Sequence, residues 1–291
     1  MKQKINLHTH CNFCDGENTP EEMIIAAIQK GFTVLGFSSH SLFPFSKSDW
    51  HIPSDKFNEY STEIRRLAEK YSSQIQILLG FEADYLKGVS VPSYESYAEL
   101  NPDYLIGSIH YVLNKKGMYS VDNKTEKVQQ SLKKMYTNKK GEIDGKKAVC
   151  EYFAAQREML KKGNFQILGH PDVIRKRNSV LNFFAPSENW YKKELIATAK
   201  EIKKADVIVE INTGAISRGI FNSNTDDDFY PSKQFLEIIH KMNIPVLVSS
   251  DAHKTDDLDC GFERGYHFAK KIGYKELTYP VANKIISIPL E

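Results

Sequence analysis

The first apolar run of this 291-residue chain, INLHTH from Ile5 to His10, ends in two histidines one residue apart. In an extended segment alternate side chains share a face, so His8 and His10 project to one side while Ile5, Leu7 and Thr9 project to the other. Two neutral imidazoles converging in this way chelate a cation without a loop having to close around it. The pair is weak evidence by itself, because H-x-H recurs on surfaces that hold no metal. The weight falls on what the rest of the chain sets beside it.

His40, Glu82, His110, His170, Asn212, Asp251 and His253 stand at the C-terminal ends of later apolar runs, and Asp15 follows the first run in CNFCDG. Six of the nine histidines therefore lie at run ends, a position for which histidine has no special affinity. A single catalytic zinc takes three protein ligands and keeps one position open. This set exceeds that, so more than one ion is implied. Two cations about 3.5–4 Å apart clamp a phosphate and generate hydroxide near neutral pH, and a carboxylate such as Glu82 can bridge them. The chemistry indicated is phosphoester hydrolysis. His51, His240 and His267 fall in a loop and in helical patterns and are expected at the surface.

Those residues need elements to hold them. Seven short β-rich runs are expected as strands: KINLHTH, VLGFSSH, IQILLGFEADY, YLIGSIHY, FQILGH, VIVEINTG and IPVLVSSDAH. Between them, TPEEMIIAAIQKG reads as a helix with Thr19 as N-cap, Pro20 at the first position and Gly31 as the stop. SDKFNEYSTEIRRLAEKY, GKKAVCEYFAAQREMLKKG, SENWYKKELIATAKEIKKA, YPSKQFLEIIHKMN and GFERGYHFAKKIG carry apolar residues at helical spacing. Strand alternating with helix implies an α/β fold with a parallel sheet. Seven repeats without a linker predict one domain, residues 1–291, closing into a TIM-like barrel, whose C-terminal rim gathers the run ends. The segment 112–145 interrupts the repeat and carries Lys115/Lys116, Lys133/Lys134 and Lys139/Lys140. It is expected to be a solvated insertion, the alternative being a lid that brings positive charge over an anionic substrate.

The totals exclude several classes. A formal net charge of +2 argues against nucleic acid or a membrane surface as the main partner. MKQKIN enters the first strand with no apolar leader, and no run approaches the length of a membrane span, so a cytoplasmic location is expected. Four cysteines in a chain of this size make no disulfide framework, and the C-x-x-C of Cys11 and Cys14 lacks the second pair of a zinc site.

Taken in order, HTH, CDG, SSH, GFEADY, GSIHY, GHPD and SDAH closely resemble the PHP (polymerase and histidinol phosphatase) family of metal-dependent phosphoesterases over nearly the whole chain. EINTG followed by YPS resembles its histidinol-phosphatase branch, which hydrolyses L-histidinol phosphate in histidine biosynthesis. The resemblance implies a distorted seven-stranded (β/α)7 barrel and three divalent ions, zinc, manganese or iron. One ion would be held by His8, His10, Glu82 and Asp251, a second by Glu82, His110 and His170, and a third by Asp15, His40 and His253. It also implies hydroxide attack on phosphorus in line, with Asp251, His253, His170 and Arg218 as the catalytic group. The substrate expected is a small phosphorylated molecule, its phosphate held by Arg218, Arg175, Lys176 and His40. Asp15 departs from the histidine that many relatives carry there.

Amidohydrolases also open on H-x-H, but His40 and the D-x-H of Asp251 and His253 suit a third metal better. Another phosphoesterase substrate (a nucleotide, phosphotyrosine or a nucleic-acid end) and a catalytically inert metal-binding regulator stay open as alternatives. The HPD at His170 occurs also in J-domain co-chaperones, where it joins two helices, whereas here it caps an apolar run. Phe43, Phe45, Trp50 and the run Asp226, Asp227 and Asp228 are candidates for recognising an imidazole and an amine.

Overall fold

The computed structural model describes residues 3–46, 48–221, 225, 228–281 and 284–290. All seven expected runs become strands: β1 (Ile5–Asn6), β2 (Val34–Phe37) with its continuation β3 (His40–Ser41), β4 (Gln76–Asp84) and β5 (Tyr104–Ser108) come first. A hairpin of β6 (Tyr111–Asn114) and β7 (Gly117–Ser120) intervenes before β8 (Ile167–Leu168), β9 (Ile208–Asn212) and β10 (Val246–Ser249). The parallel order is β1-β2-β4-β5-β8-β9-β10, with β3 on β4. Phe37 pairs with Leu79 and His40 with Glu82, one constant offset, so β2 and β3 are a single strand that breaks at Ser38 and Ser39. Both serine carbonyls accept from the Glu82 amide, at 3.1 and 3.2 Å.

The sheet nearly closes on itself at a seam between its first and last strands. Thr9 bridges Ala252 in parallel, with His10 N donating to Ala252 O at 2.8 Å and Ala252 N to His8 O at 3.2 Å. That seam sets the H-x-H of β1 beside the D-x-H that follows β10. The fold itself therefore delivers the ligand types from opposite ends of the chain to one place.

Helices cover the outside: α1 (Pro20–Gln29), α2 (Phe57–Lys70), α3 (Thr125–Tyr136), α4 (Gly145–Lys162), α5 (Asn178–Leu181), α6 (Asn189–Ala205), α7 (Gly214–Ser217), α8 (Lys233–Lys241) and α9 (Phe262–Ile272). A C-terminal hairpin of β11 (Glu276–Val281) and β12 (Lys284–Pro289) follows them. Helix α1 begins as expected, with a reciprocal capping box between Thr19 and Glu22. Inside the barrel the Tyr104 ring lies across β2 and β4 and its hydroxyl donates to Leu7 O at 2.6 Å. A Cβ at Gly36 would come within 2.3 Å of that hydroxyl and one at Gly80 within 2.4 Å of the ring, so both strands need glycine there.

Two expectations are corrected. The 112–145 segment is folded: its hairpin pairs Tyr111 with Ser120, and α3 buries Val128, Leu132, Met135 and Tyr136. Its six paired lysines are exposed and none lines the site described below, whereas Lys124 of the same segment does. His51, expected at the surface, is buried and hydrogen-bonds Asp84. Among the described residues no helix is long and apolar enough to cross a membrane.

Candidate metal centre

The strand ends converge on Glu82. Its Oε2 lies 3.2 Å from His8 Nε2, 3.6 Å from His10 Nε2 and 2.8 Å from His40 Nδ1. Its Oε1 lies 2.7 Å from His170 Nε2 and 3.4 Å from His110 Nε2, and accepts from Ser108 Oγ at 2.8 Å. Asp251 Oδ1 faces His10 Nε2 at 3.2 Å and His8 Nε2 at 3.6 Å. Asp15 Oδ1 faces His253 Nε2 at 3.4 Å and His40 Nε2 at 3.7 Å.

These atoms behave as ligands in waiting. Glu82 Oε2, His8 Nε2, His10 Nε2 and His40 Nδ1 are buried with no hydrogen-bond partner, a state that costs about 1–3 kcal/mol per polar group unless something else satisfies it. Four donor sets fall close enough together to share an ion: His10, Asp15, His40 and His253; His8, His10 and Glu82; His8, His170 and Asp251; and His40, Glu82 and His110. All nine ligands expected from the sequence are therefore gathered, with His8, His10, His40 and Glu82 each belonging to two sets.

Three imidazoles are fixed from behind. His8 Nδ1 donates to Glu210 Oε1 at 2.5 Å, His110 Nδ1 to Asp84 Oδ1 at 2.7 Å and His253 Nδ1 to Asp251 O at 3.0 Å. Each bond fixes the tautomer that leaves the Nε2 lone pair aimed at the cluster, as metal-ligating histidines require. Asp84 also accepts from His51 Nε2 at 2.9 Å. Asp251 adopts a left-handed backbone, φ 52°, a region in which aspartate is among the few tolerated side chains.

The charges support one another. Burial opposes ionisation of Glu82, yet His40, His8 and His110 hold its carboxyl well below the usual range. Asp251 is likewise held down against burial by Arg218 and His8. Burial, with His253 and His40 alongside, drives the His10 pKa well down, leaving a neutral imidazole. Burial lowers the His40 pKa too, but Glu82 and Asp15 outweigh it and raise it to about 9.

The cluster opens into a pocket of about 310 Å³, walled by Trp50, Asp122, Asn123, Lys124, Lys176, Arg177 and Arg218. Arg218 donates from Nη2 to Asp251 Oδ2 at 2.7 Å and from Nη1 to Asp251 O at 3.2 Å. Lys176 reaches the pocket and pairs with Asp122. Arg175 is not brought in. Its guanidinium binds Asp172 Oδ2 at 2.8 Å and Phe229 O at 2.5 Å, outside the lining of this pocket. The short turn after β8 sends Arg175 inward, and the next two residues take the place expected of it.

Residues 6–214 match the family model described as the PHP domain. The chain belongs to the PHP family. Over 94% of its length it is 27% identical to a probable histidinol-phosphatase of Schizosaccharomyces pombe, covering 88% of that protein. A probable histidinol-phosphatase of Deinococcus radiodurans is 22% identical, with 94% of this chain and 95% of that one covered. The histidinol phosphate phosphatase of Lactococcus lactis, solved with zinc, L-histidinol and phosphate, superposes with a TM-score of 0.70 at 20% identity, covering 98% of this chain and 99% of that one.

Within this PHP barrel, Glu210, Asp84, Asp122 and Arg177 also stand at the site, although no spacing pattern singles them out in the sequence. A carboxylate inside the apolar run VIVEIN is the signal that could have found Glu210, because a charge on a fully buried strand must be paired. Of the aromatic and acidic candidates, Trp50 lines the pocket, Phe43 packs against Phe57 and Tyr97, and Phe45 is exposed. Asp228 pairs with Arg264, and Asp226 and Asp227 lie outside the described residues.

Proposed function

We infer that this PHP protein is a metal-dependent phosphomonoesterase that hydrolyses L-histidinol phosphate to L-histidinol and phosphate, a step of histidine biosynthesis. The observation that carries this reading is the buried, partnerless ring of imidazole and carboxylate atoms around Glu82, opening on a pocket walled by cations. The named activity of the two curated relatives supports the substrate, and the Lactococcus lactis enzyme was solved with the corresponding products.

The mixed imidazole and carboxylate donors suit zinc, manganese or iron. Three ions are proposed, held by His8, His10, Glu82 and Asp251, by Glu82, His110 and His170, and by Asp15, His40 and His253, with His10 and His40 placed to assist neighbouring sites. Bound there, divalent ions supply Lewis acidity toward phosphoryl oxygens and hydroxide at neutral pH.

The chain's own groups do the positioning. Arg218 grips Asp251 by Oδ2 and so turns Oδ1 toward His8 and His10. Its position on the pocket wall suits it to a phosphoryl oxygen as well. Lys176 and Arg177 stand on the same pocket wall, where they would meet the ester's oxygens. Glu210 and Asp84 keep His8 and His110 oriented throughout.

Phosphate release from L-histidinol phosphate by the manganese- or zinc-loaded protein, set against nucleoside monophosphates and phosphotyrosine, tests the reading. A kcat/KM highest for L-histidinol phosphate supports it. A kcat/KM higher for phosphotyrosine or a nucleotide would keep the phosphoesterase and discard the pathway.

A further inference from the structure

The pocket holds three acidic residues, and two of them, Asp15 and Asp251, belong to the donor sets. The third, Asp122, does not. The hairpin β6–β7 begins immediately after His110 and returns to it, with Val121 N donating to His110 O at 2.9 Å, so the next residue is delivered to the rim of the cluster. There Asp122 pairs with the buried Lys176. Lys176, His110 and Arg218 hold the Asp122 carboxyl well below the usual range, against the opposing effect of burial.

An anion-binding wall gains nothing from a carboxylate. Placed among Lys176, Arg177 and Arg218, Asp122 repels an incoming phosphate and occupies the lysine that would bind it. Its presence makes sense if the substrate brings a cation of its own. L-Histidinol phosphate does so: its ammonium stands on the carbon adjacent to the one bearing the phosphate ester.

We propose that Asp122 is the specificity residue for the substrate ammonium, and that the Asp122–Lys176 pair exchanges partners on binding, Asp122 taking the ammonium and Lys176 the phosphate. The proposal rests on the phosphatase reading above and deepens it. Two ion pairs replace one internal pair and one carried by the substrate, so no buried charge is left alone. A phosphate ester without the ammonium leaves Asp122 unpaired beside a dianion, and the site rejects it by repulsion as well as by a missing contact.

Steady-state kinetics of the metal-loaded enzyme on L-histidinol phosphate and on its des-amino analogue, 3-(imidazol-4-yl)propyl phosphate, test this. The wild type is expected to prefer the aminated ester by about 30-fold or more in kcat/KM, the scale of a desolvated charge pair. Asp122→Asn is expected to raise KM for L-histidinol phosphate by a similar factor and to lower it for the des-amino ester. Lys176→Gln is expected to raise KM for both. Equal wild-type efficiency on the two esters, or an Asp122→Asn change of the same sign and size on both, would overturn the proposal, the first without needing any variant to fold. Wild-type hydrolysis of neither ester would overturn the substrate reading, and the proposal with it.

Discussion

Glu210 accepts the Nδ1 proton of His8 at 2.5 Å while standing outside every donor set. The same carboxylate accepts from His170 N at 2.8 Å, from Asn212 Nδ2 at 3.1 Å and from Ser249 Oγ, so one buried group ties β1, β9, β10 and the turn after β8 together. Its substitution is expected to act on the metal before the chemistry. Glu210→Gln keeps the shape but weakens the acceptor, and metal affinity should fall about 10–100-fold. Equilibrium dialysis followed by elemental analysis measures this, and unchanged affinity would show that Glu210 does not support the metal site.

Asp251→Asn is expected to lower kcat by about a hundredfold or more while far-UV circular dichroism stays unchanged. Asparagine tolerates the left-handed backbone at φ 52°, so the change tests the carboxylate and not the turn. An active, metal-replete Asp251→Asn enzyme would sink the proposed role of that carboxylate.

Metal removal should abolish turnover and lower Tm. Each ion at a hundred times its Kd adds about 2.7 kcal/mol to the stability of the folded state. In the metal-free protein the His40 pKa is raised to about 9, so this ligand carries a proton at neutral pH that an ion must displace. Binding therefore releases protons, and metal affinity should rise with pH up to about 9. Isothermal titration in buffers of different ionisation enthalpy counts the protons released. No release at pH 7 would contradict the assignment of His40.

Arg175→Gln is expected to cost about 3–5 kcal/mol of stability, because it leaves Asp172 buried without its cation. Arg177→Gln, on the half-buried pocket wall, should raise KM for the phosphate ester with little change in Tm. Denaturant midpoints and KM values for both variants read this directly. The reverse pattern would restore Arg175 to the phosphate site.

The residues proposed to hold metal were legible because barrel topology turns a one-dimensional rule, polar residue at the end of an apolar run, into a three-dimensional cluster. Asp84 and Glu210 were harder, since a carboxylate that supports a histidine from behind has no spacing rule and its partner is remote in the chain. His51 looked like a surface residue for the same reason: its partner, Asp84, lies 33 residues away. The register of Arg175, Lys176 and Arg177 depended on a short turn whose direction periodicity does not encode. In the 112–145 segment the apolar series Val128, Leu132 and Met135 was present at helical spacing, but the lysine pairs drew the reading toward a solvated loop.

The ring of imidazoles and carboxylates around Glu82 is proposed to hold the ions that hydrolyse the ester. Turnover of L-histidinol phosphate by metal-stripped protein as manganese or zinc is added back, with bound metal counted at each step, decides whether it does. No turnover at zero metal and a plateau near three ions per chain are expected. Full turnover by the stripped protein, or a plateau at one ion, would contradict the proposal.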